Sequence, residues 1–239
     1  MLLEYMTMKD FKRHLKQTQT VIIPFGTVEE HGNHLPLNTD TLIIYEILKR
    51  VVKKRKVFLA PPVYYGVCTT TRQHPGTLSI TPDTLRRIAG DLIRESYKDG
   101  LRNIFLISGH GGGLHMSALK EVGEQLIEEL NGINVAVFSP YDTLYKELAE
   151  LADTPNDSHA GELETSMVLA LAPELVRGRS KEDYPNMPRP FLAKNKLKYW
   201  RSGVWGNPEK ASTEKGEKAV ELIAHKVIET LDMVENKKF

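Results

Sequence analysis

The sequence predicts an α/β domain built on a parallel sheet with helices on both faces. Four short apolar runs carry this reading: residues 21–25 (VIIPF), 57–60 (VFLA), 103–107 (NIFLI) and 135–138 (VAVF). Strands covered on both faces read as near-continuous apolar runs, not as alternating ones. Between them lie stretches with apolar residues at helical spacing, as parallel neighbours require a long crossover. At 239 residues the chain is long enough for one domain with a substantial core.

The elements follow in order. Helices are expected over 39–52, 82–98 and 115–130, each between two strand candidates, and further ones over 144–152, 162–172 and 214–234. The last carries Ala219, Leu222, Ile223, Lys226, Val227 and Thr230 at helical spacing and is expected to lie along the sheet. Residues 184–208 are the least regular part, with four prolines and two tryptophans. They are read as a surface insertion or subunit-contact arm on a single domain spanning 1–239, because long irregular segments in compact domains tend to be functional.

Composition narrows the partners. Basic and acidic residues number 32 and 31, a net charge of +1, and no basic face for nucleic acid is expected. Lys53-Lys54-Arg55-Lys56 reads as a solvated helix end, where cations suit the macrodipole. A single cysteine, Cys68, excludes an intrachain disulfide. No run approaches the roughly 20 apolar residues of a membrane span. The expectation is a soluble cytoplasmic protein.

Three stretches concentrate chemistry. The first, Thr27 to Thr41 (TVEEHGNHLPLNTDT), begins just past the first strand, where open parallel sheets collect ligands. Glu29 and His31 project from one side if the backbone there stays extended. Asp40 opens the next helix, a position a carboxylate also occupies for helix-dipole reasons alone. The second stretch, Ser108-Gly109-His110-Gly111-Gly112-Gly113, follows the third strand. Its glycines allow close backbone approach and present amides to an anion; His115 beyond it is read as structural or substrate-facing. In the third, Ser158 to Ser166 (SHAGELETS), a helical turn would set His159 and Glu162 on one face and point Glu164 elsewhere. Taken together, Glu29, His31, Asp40, His110 and Glu162 make a two-metal set with Asp40 bridging. Mixed imidazole and carboxylate donors suit Zn(II), Mn(II) or Fe(II). His159 then remains as a base.

GTVEEHGNHLPLNTD resembles the signature of the creatininase (creatinine amidohydrolase) family, G-x-x-E-Q-H-G-P-H-L-P-L-x-T-D. The resemblance continues through Tyr65-Gly66-Val67, His74-Pro75-Gly76-Thr77, Ser108 to Gly112 and His159 to Ser166. It implies a three-layer α/β/α fold, two divalent metal ions per chain, hydrolysis of a C–N amide bond in a small molecule, and homo-oligomers from dimers to hexamers. Carried over by position, Glu29, His31, Asp40 and His110 match metal ligands, with Glu162 as the last ligand. The amides of Gly111 and Gly112 are expected to hold the oxyanion or the substrate. Two departures argue against creatinine as substrate. Gly112 stands where creatininase has a glutamate, and no tryptophan precedes His159 in Asp153 to Ser158. A second branch of the family, the formamide hydrolases that deformylate a formamidopyrimidine ribonucleotide on the route to riboflavin and deazaflavin, is resembled at least as well. There His74 and Arg72 are candidate substrate contacts. Arg72 has two readings, a phosphate contact and an ordinary surface ion pair. A third branch of the family trims modified peptides, and no residue here speaks for it specifically. The rival from another class is a metabolite-binding α/β protein using the glycine turn as a phosphate cradle.

Overall fold

The computed structural model describes residues 1–235. In chain order the elements are α1 (Met8–Leu15), β1 (Thr20–Phe25), α2 (Thr39–Lys54), β2 (Phe58–Leu59), α3 (Pro82–Lys98), β3 (Asn103–Ser108), α4 (Gly113–Glu129), β4 (Asn134–Phe138), α5 (Pro140–Thr143), α6 (Tyr145–Leu151), α7 (Glu162–Leu171) and α8 (Thr213–Glu235). The four strands are parallel in the order β2-β1-β3-β4.

Alternation along the strands builds two cores. Ile22, Phe105 and Ile107 face one side and pack with residues of α2, α7 and α8, such as Ile47, Met167 and Val227. Val21, Ile23, Phe25, Ile104 and Leu106 face the other and pack with residues of α3 and α4, such as Leu85, Ile93 and Leu119. Successive side chains of a strand point to opposite faces, so uninterrupted apolar strands need a helical layer on each side. That is the three-layer α/β/α arrangement. Each of these fully buried side chains contributes roughly 1.5–3 kcal/mol from burial.

The local signals act as the sequence suggests. Thr81 caps α3 by accepting from the Thr84 amide, and Pro82 takes the first helical position, where its missing N–H costs nothing. The basic run at the end of α2 is partly tied down: Arg55 makes a two-pronged pair with Asp232 of α8, both contacts at 2.8 Å. Three differences from expectation stand out. Strand β2 shrinks to two residues at the sheet edge. Helix α4 begins at Gly113, two residues earlier than read. Helix α1 was not anticipated; a Thr7–Asp10 capping box starts it, and Phe11 packs on Phe58 with ring centroids 5.1 Å apart. Its charged residues occupy the outer face of an amphipathic turn.

The strand order positions the site. From β1 the chain crosses to β2 on one side, then returns past β1 to β3 on the other. Between β1 and β3 the winding therefore reverses, and such a switch point opens a crevice beyond the carboxyl ends. The two strands end level, Phe25 opposite Ser108. Each then turns on a glycine, against which the first turn of α2 is pressed. A Cβ on Gly26 would lie 2.1 Å from Thr41 Oγ1, and one on Gly109 2.1 Å from the backbone oxygen of Asp40. Only the absence of both Cβ atoms lets α2 start inside the crevice.

The irregular stretch 184–208 divides in two. Its outer part is exposed, Phe191 at 78% and Leu192 at 99%. Its return limb runs inward, where Trp205 pairs antiparallel with His159 and Gly206 with Asp183. Gln73 clasps the limb, donating to Lys194 O and accepting from the Lys196 amide. Among the described residues no helix is long and apolar enough to cross a membrane.

Candidate metal centre

Two groups of donors meet in the crevice and share Asp40. On one side His110 Nδ1 lies 3.0 Å from Glu29 Oε2 and 3.1 Å from Asp40 Oδ2. On the other, His31 Nε2 lies 3.2 Å from Asp40 Oδ1 and 3.7 Å from Glu164 Oε2. The two oxygens of one carboxylate thus face different groups, the arrangement a bridging ligand needs.

The supporting contacts fix which nitrogen faces inward. His31 Nδ1 donates to the Glu29 carbonyl at 3.1 Å, leaving Nε2 as the inward acceptor. His110 Nε2 donates to Val67 O at 3.2 Å, leaving Nδ1 inward. Such an outer hydrogen bond sets the tautomer of a metal-binding imidazole. The carboxylates are steered likewise, Thr71 donating to Glu29 and Thr27 to Asp40. Cys68 Sγ lies beside Glu29 and His110. Burial, followed by those carboxylates' charges, pushes its thiol above the ordinary range.

His159 stands at the edge of the second group, its ring 4.2 Å from that of His31. Its Nε2 donates to Glu30 O at 2.8 Å, so Nδ1 is the free acceptor. Trp200 closes the other side, edge-on to His159 at 5.6 Å and to His74 at 5.5 Å. A cavity of about 790 Å³ opens over the cluster; Gly111, Gly112, Thr71, Tyr141, Trp200 and Trp205 are among its walls.

The structure brings Glu29, His31, Asp40, His110 and His159 together and sets Gly111 and Gly112 at the cavity. It does not bring Glu162. That carboxylate accepts from the amides of Asp153 and Thr154 and pairs with Lys215, away from the cluster. Glu164 occupies the place expected for it, accepting from the Ala160 amide at 2.6 Å. The reason is backbone phase. Three-residue spacing works only if the helix already runs through His159, but it starts at Glu162, and Ala160 has a positive φ of 47°. That left-handed residue rotates His159 onto the side of Glu164. His74 and Arg72 also differ from expectation. His74 is buried behind the wall, bracing the Thr71 loop and Trp200, and Arg72 is exposed outside the cavity lining. His115 and His34 are neutral braces. Burial, followed by neighbouring imidazoles, pulls them down to about 3 and about 4, and their nitrogens engage Val67 and Ser108, or Thr165 and Ser180.

Sequence reading missed Glu164, Tyr141 and the two arm tryptophans. The lost signal for the tryptophans was in plain view: two of them in an irregular stretch, and none in Asp153 to Ser158, the wall they now cover.

This donor set fits divalent cations. Glu29, Asp40 and Glu164 are all buried, at 3%, 2% and 6% exposure. Packed carboxylates need compensating charge, and oxygen with imidazole donors suits zinc, manganese or iron(II). Protons provide the charge in the metal-free protein. Burial opposes a charged His31, but Asp40 and then Glu164 outweigh it and hold the imidazole up at about 10. His110 is raised well above its usual range against burial by Glu29 and Asp40. Burial also opposes ionisation of Glu29, yet His110 holds it down at about 2. A raised histidine supports the metal-free fold fully below its unfolded value near 6.5, and for His31 that support fades as pH climbs through about 10. A cation needs the bare nitrogens, so uptake must expel these protons. Calorimetric titration with zinc at pH 7, in buffers of different ionisation enthalpy, should show about two protons released per chain. For His31 the release should decline as pH passes about 10. Zinc uptake without proton release would remove the imidazoles from the ligand set.

The two glutamates make a second test. Glu164→Gln should lose one ion of the pair. Glu162→Gln should keep both and lose about 1 kcal/mol of stability with its half-buried Lys215 pair. Elemental analysis and thermal melting separate them, and equal metal loss in both variants would reverse the assignment.

A doubly covered parallel sheet with buried imidazoles and carboxylates at its switch point is built to hold divalent ions. The chain belongs to the creatininase family, whose model, described as creatinine amidohydrolase, matches residues 4–231. It is 26% identical to the creatinine amidohydrolase of Pseudomonas putida, covering 95% of this chain and 94% of that protein. It is 31% identical to the mycofactocin precursor peptide peptidase of Mycolicibacterium smegmatis, over 83% of this chain and 78% of that one. The solved structure described as "Creatininase Mn" superposes with a TM-score of 0.86 at 24% identity, covering 96% of each chain.

Proposed function

We propose that this chain uses two divalent ions to deformylate a formamidopyrimidine ribonucleotide. The ions would be held by Glu29, Asp40 and His110 on one side and by His31, Asp40 and Glu164 on the other. When bound, they supply Lewis acidity to the amide oxygen and acidify water to a pKa near 7. The residues do the rest. His159 Nδ1 takes the proton of the attacking water and returns it to the departing nitrogen. Trp200 and Glu30 O hold that ring in place. The amides of Gly111 and Gly112 hold substrate.

What supports the substrate choice is a cation pair, Lys196 and Arg72, outside the cavity lining. Lys196 Nζ reaches Thr69 O, next to the lining residues Thr70 and Thr71. Burial, followed by the nearby Arg72 guanidinium, draws the Lys196 ammonium below its usual range. Two cations there suit a phosphate that projects beyond the cavity. The aromatic walls Trp200, Trp205 and Tyr141 suit a planar base. Creatinine fits less well, being small and uncharged at that end.

Formate release from the ribonucleotide, with zinc, manganese or iron(II), is expected to exceed creatinine turnover by roughly 10²-fold in kcat/KM. Creatinine as the better substrate would overturn the proposal. Ligand binding that survives chelation, without turnover, would favour a binding protein. Reduced Cys68 and a cytoplasmic setting belong to this reading. So does a homo-oligomer, dimer to hexamer, which light scattering on the purified chain decides.

A further inference from the structure

The geometry points to Tyr141 as a further catalytic residue, its phenolic hydroxyl donating a hydrogen bond to the amide oxygen of the substrate as that oxygen gains negative charge. This rests on reading the cavity as an amide site, not on which amide is native. The proton stays on the phenol throughout, so no bond to it breaks.

Tyr141 follows the carboxyl end of β4, as His110 follows β3 and Glu29 follows β1. It lines the same cavity as Glu29, Asp40, His110 and Glu164. Its ring packs against the apolar core beneath the sheet, so the hydroxyl is carried on a rigid support. That hydroxyl is buried and has no hydrogen-bond partner among the described residues. A buried polar group left unpaired is costly, and the residue that carries this one lines the cavity. Tyr145, four residues on, is by contrast 66% exposed. Burial first, then the charges of Glu164 and Asp40, hold the Tyr141 phenol above its ordinary range. A fixed donor in a water-poor site, aimed where charge develops, is how oxyanions are stabilised.

The test uses acetohydroxamate, a small amide-like anion, titrated calorimetrically into the zinc-loaded protein and into zinc-loaded Tyr141→Phe. The substitution keeps the packed ring and removes only the hydroxyl. Its metal content and melting temperature should equal those of the wild type, and its hydroxamate affinity should fall roughly tenfold, the worth of one charge-assisted hydrogen bond. A loss smaller than threefold overturns the assignment. So does loss of zinc in the variant, since the hydroxyl would then serve the ions. Failure of the ribonucleotide assay leaves this measurement intact.

Discussion

Asp40→Ala is expected to hold neither ion and to show no hydrolysis above background. The aspartate offers Oδ1 to the group of His31 and Oδ2 to that of His110, at 3.2 Å and 3.1 Å. No other carboxylate among the described residues faces both groups. Removing Glu29 or Glu164 takes a donor from one ion, whereas removing Asp40 takes one from each and also the charge between two imidazoles. Breaking such a buried arrangement destabilises by about 3–5 kcal/mol, so a folded control is needed. Asp40→Asn supplies it, keeping the shape and removing the charge. Circular dichroism establishes the fold, and elemental analysis counts the ions. Unchanged stoichiometry in both variants would take Asp40 out of the bridge.

The second large effect belongs to His159. Its nitrogens are already divided: Nε2 is committed to Glu30 O, and Nδ1 is free. It lies near His31 and Glu164, close enough to be a third donor to that ion, so base and ligand must be separated by measurement. If His159 moves the proton, His159→Ala keeps its metal while turnover falls by roughly 10²–10⁴, the usual worth of a positioned acid–base group. If it is a ligand, the variant loses metal as readily as His110→Ala. Retained metal with near-normal turnover would make it neither, and a carboxylate such as Glu164 would be left to take the proton. Metal content and rate therefore have to come from the same preparation.

Much of the fold was legible because its physics is local. Buried parallel strands have to be apolar along their whole length, and the runs at 21–25 and 103–107 say so directly. The same holds for Glu29, His31, Asp40 and His110, each placed by a strand end or a helix start. What was not legible depends on single torsions or long-range packing. The exchange of Glu162 for Glu164 turns on the φ of Ala160, and alanine carries no mark of the left-handed region as glycine or asparagine would. Trp200 reaches back to His159 and His74 across more than forty residues, through a limb that no periodicity describes. Helix α1 was hidden by its own charges, which read as a break in hydrophobicity until one face is laid against Phe58.

The antiparallel pairing of His159 with Trp205 ties two parts that an enzyme designer would prefer to keep separate. Trp205 N donates to His159 O at 2.7 Å and His159 N to Trp205 O at 3.2 Å. The wall of the proposed substrate cavity and the residue proposed to handle the proton therefore share one strip of main chain. Exchanging the arm for that of a relative would tune specificity only if the His159 loop travelled with it. Diversification within this lineage is thus expected to proceed by co-inherited blocks, with the ion-facing strand ends as the invariant chassis.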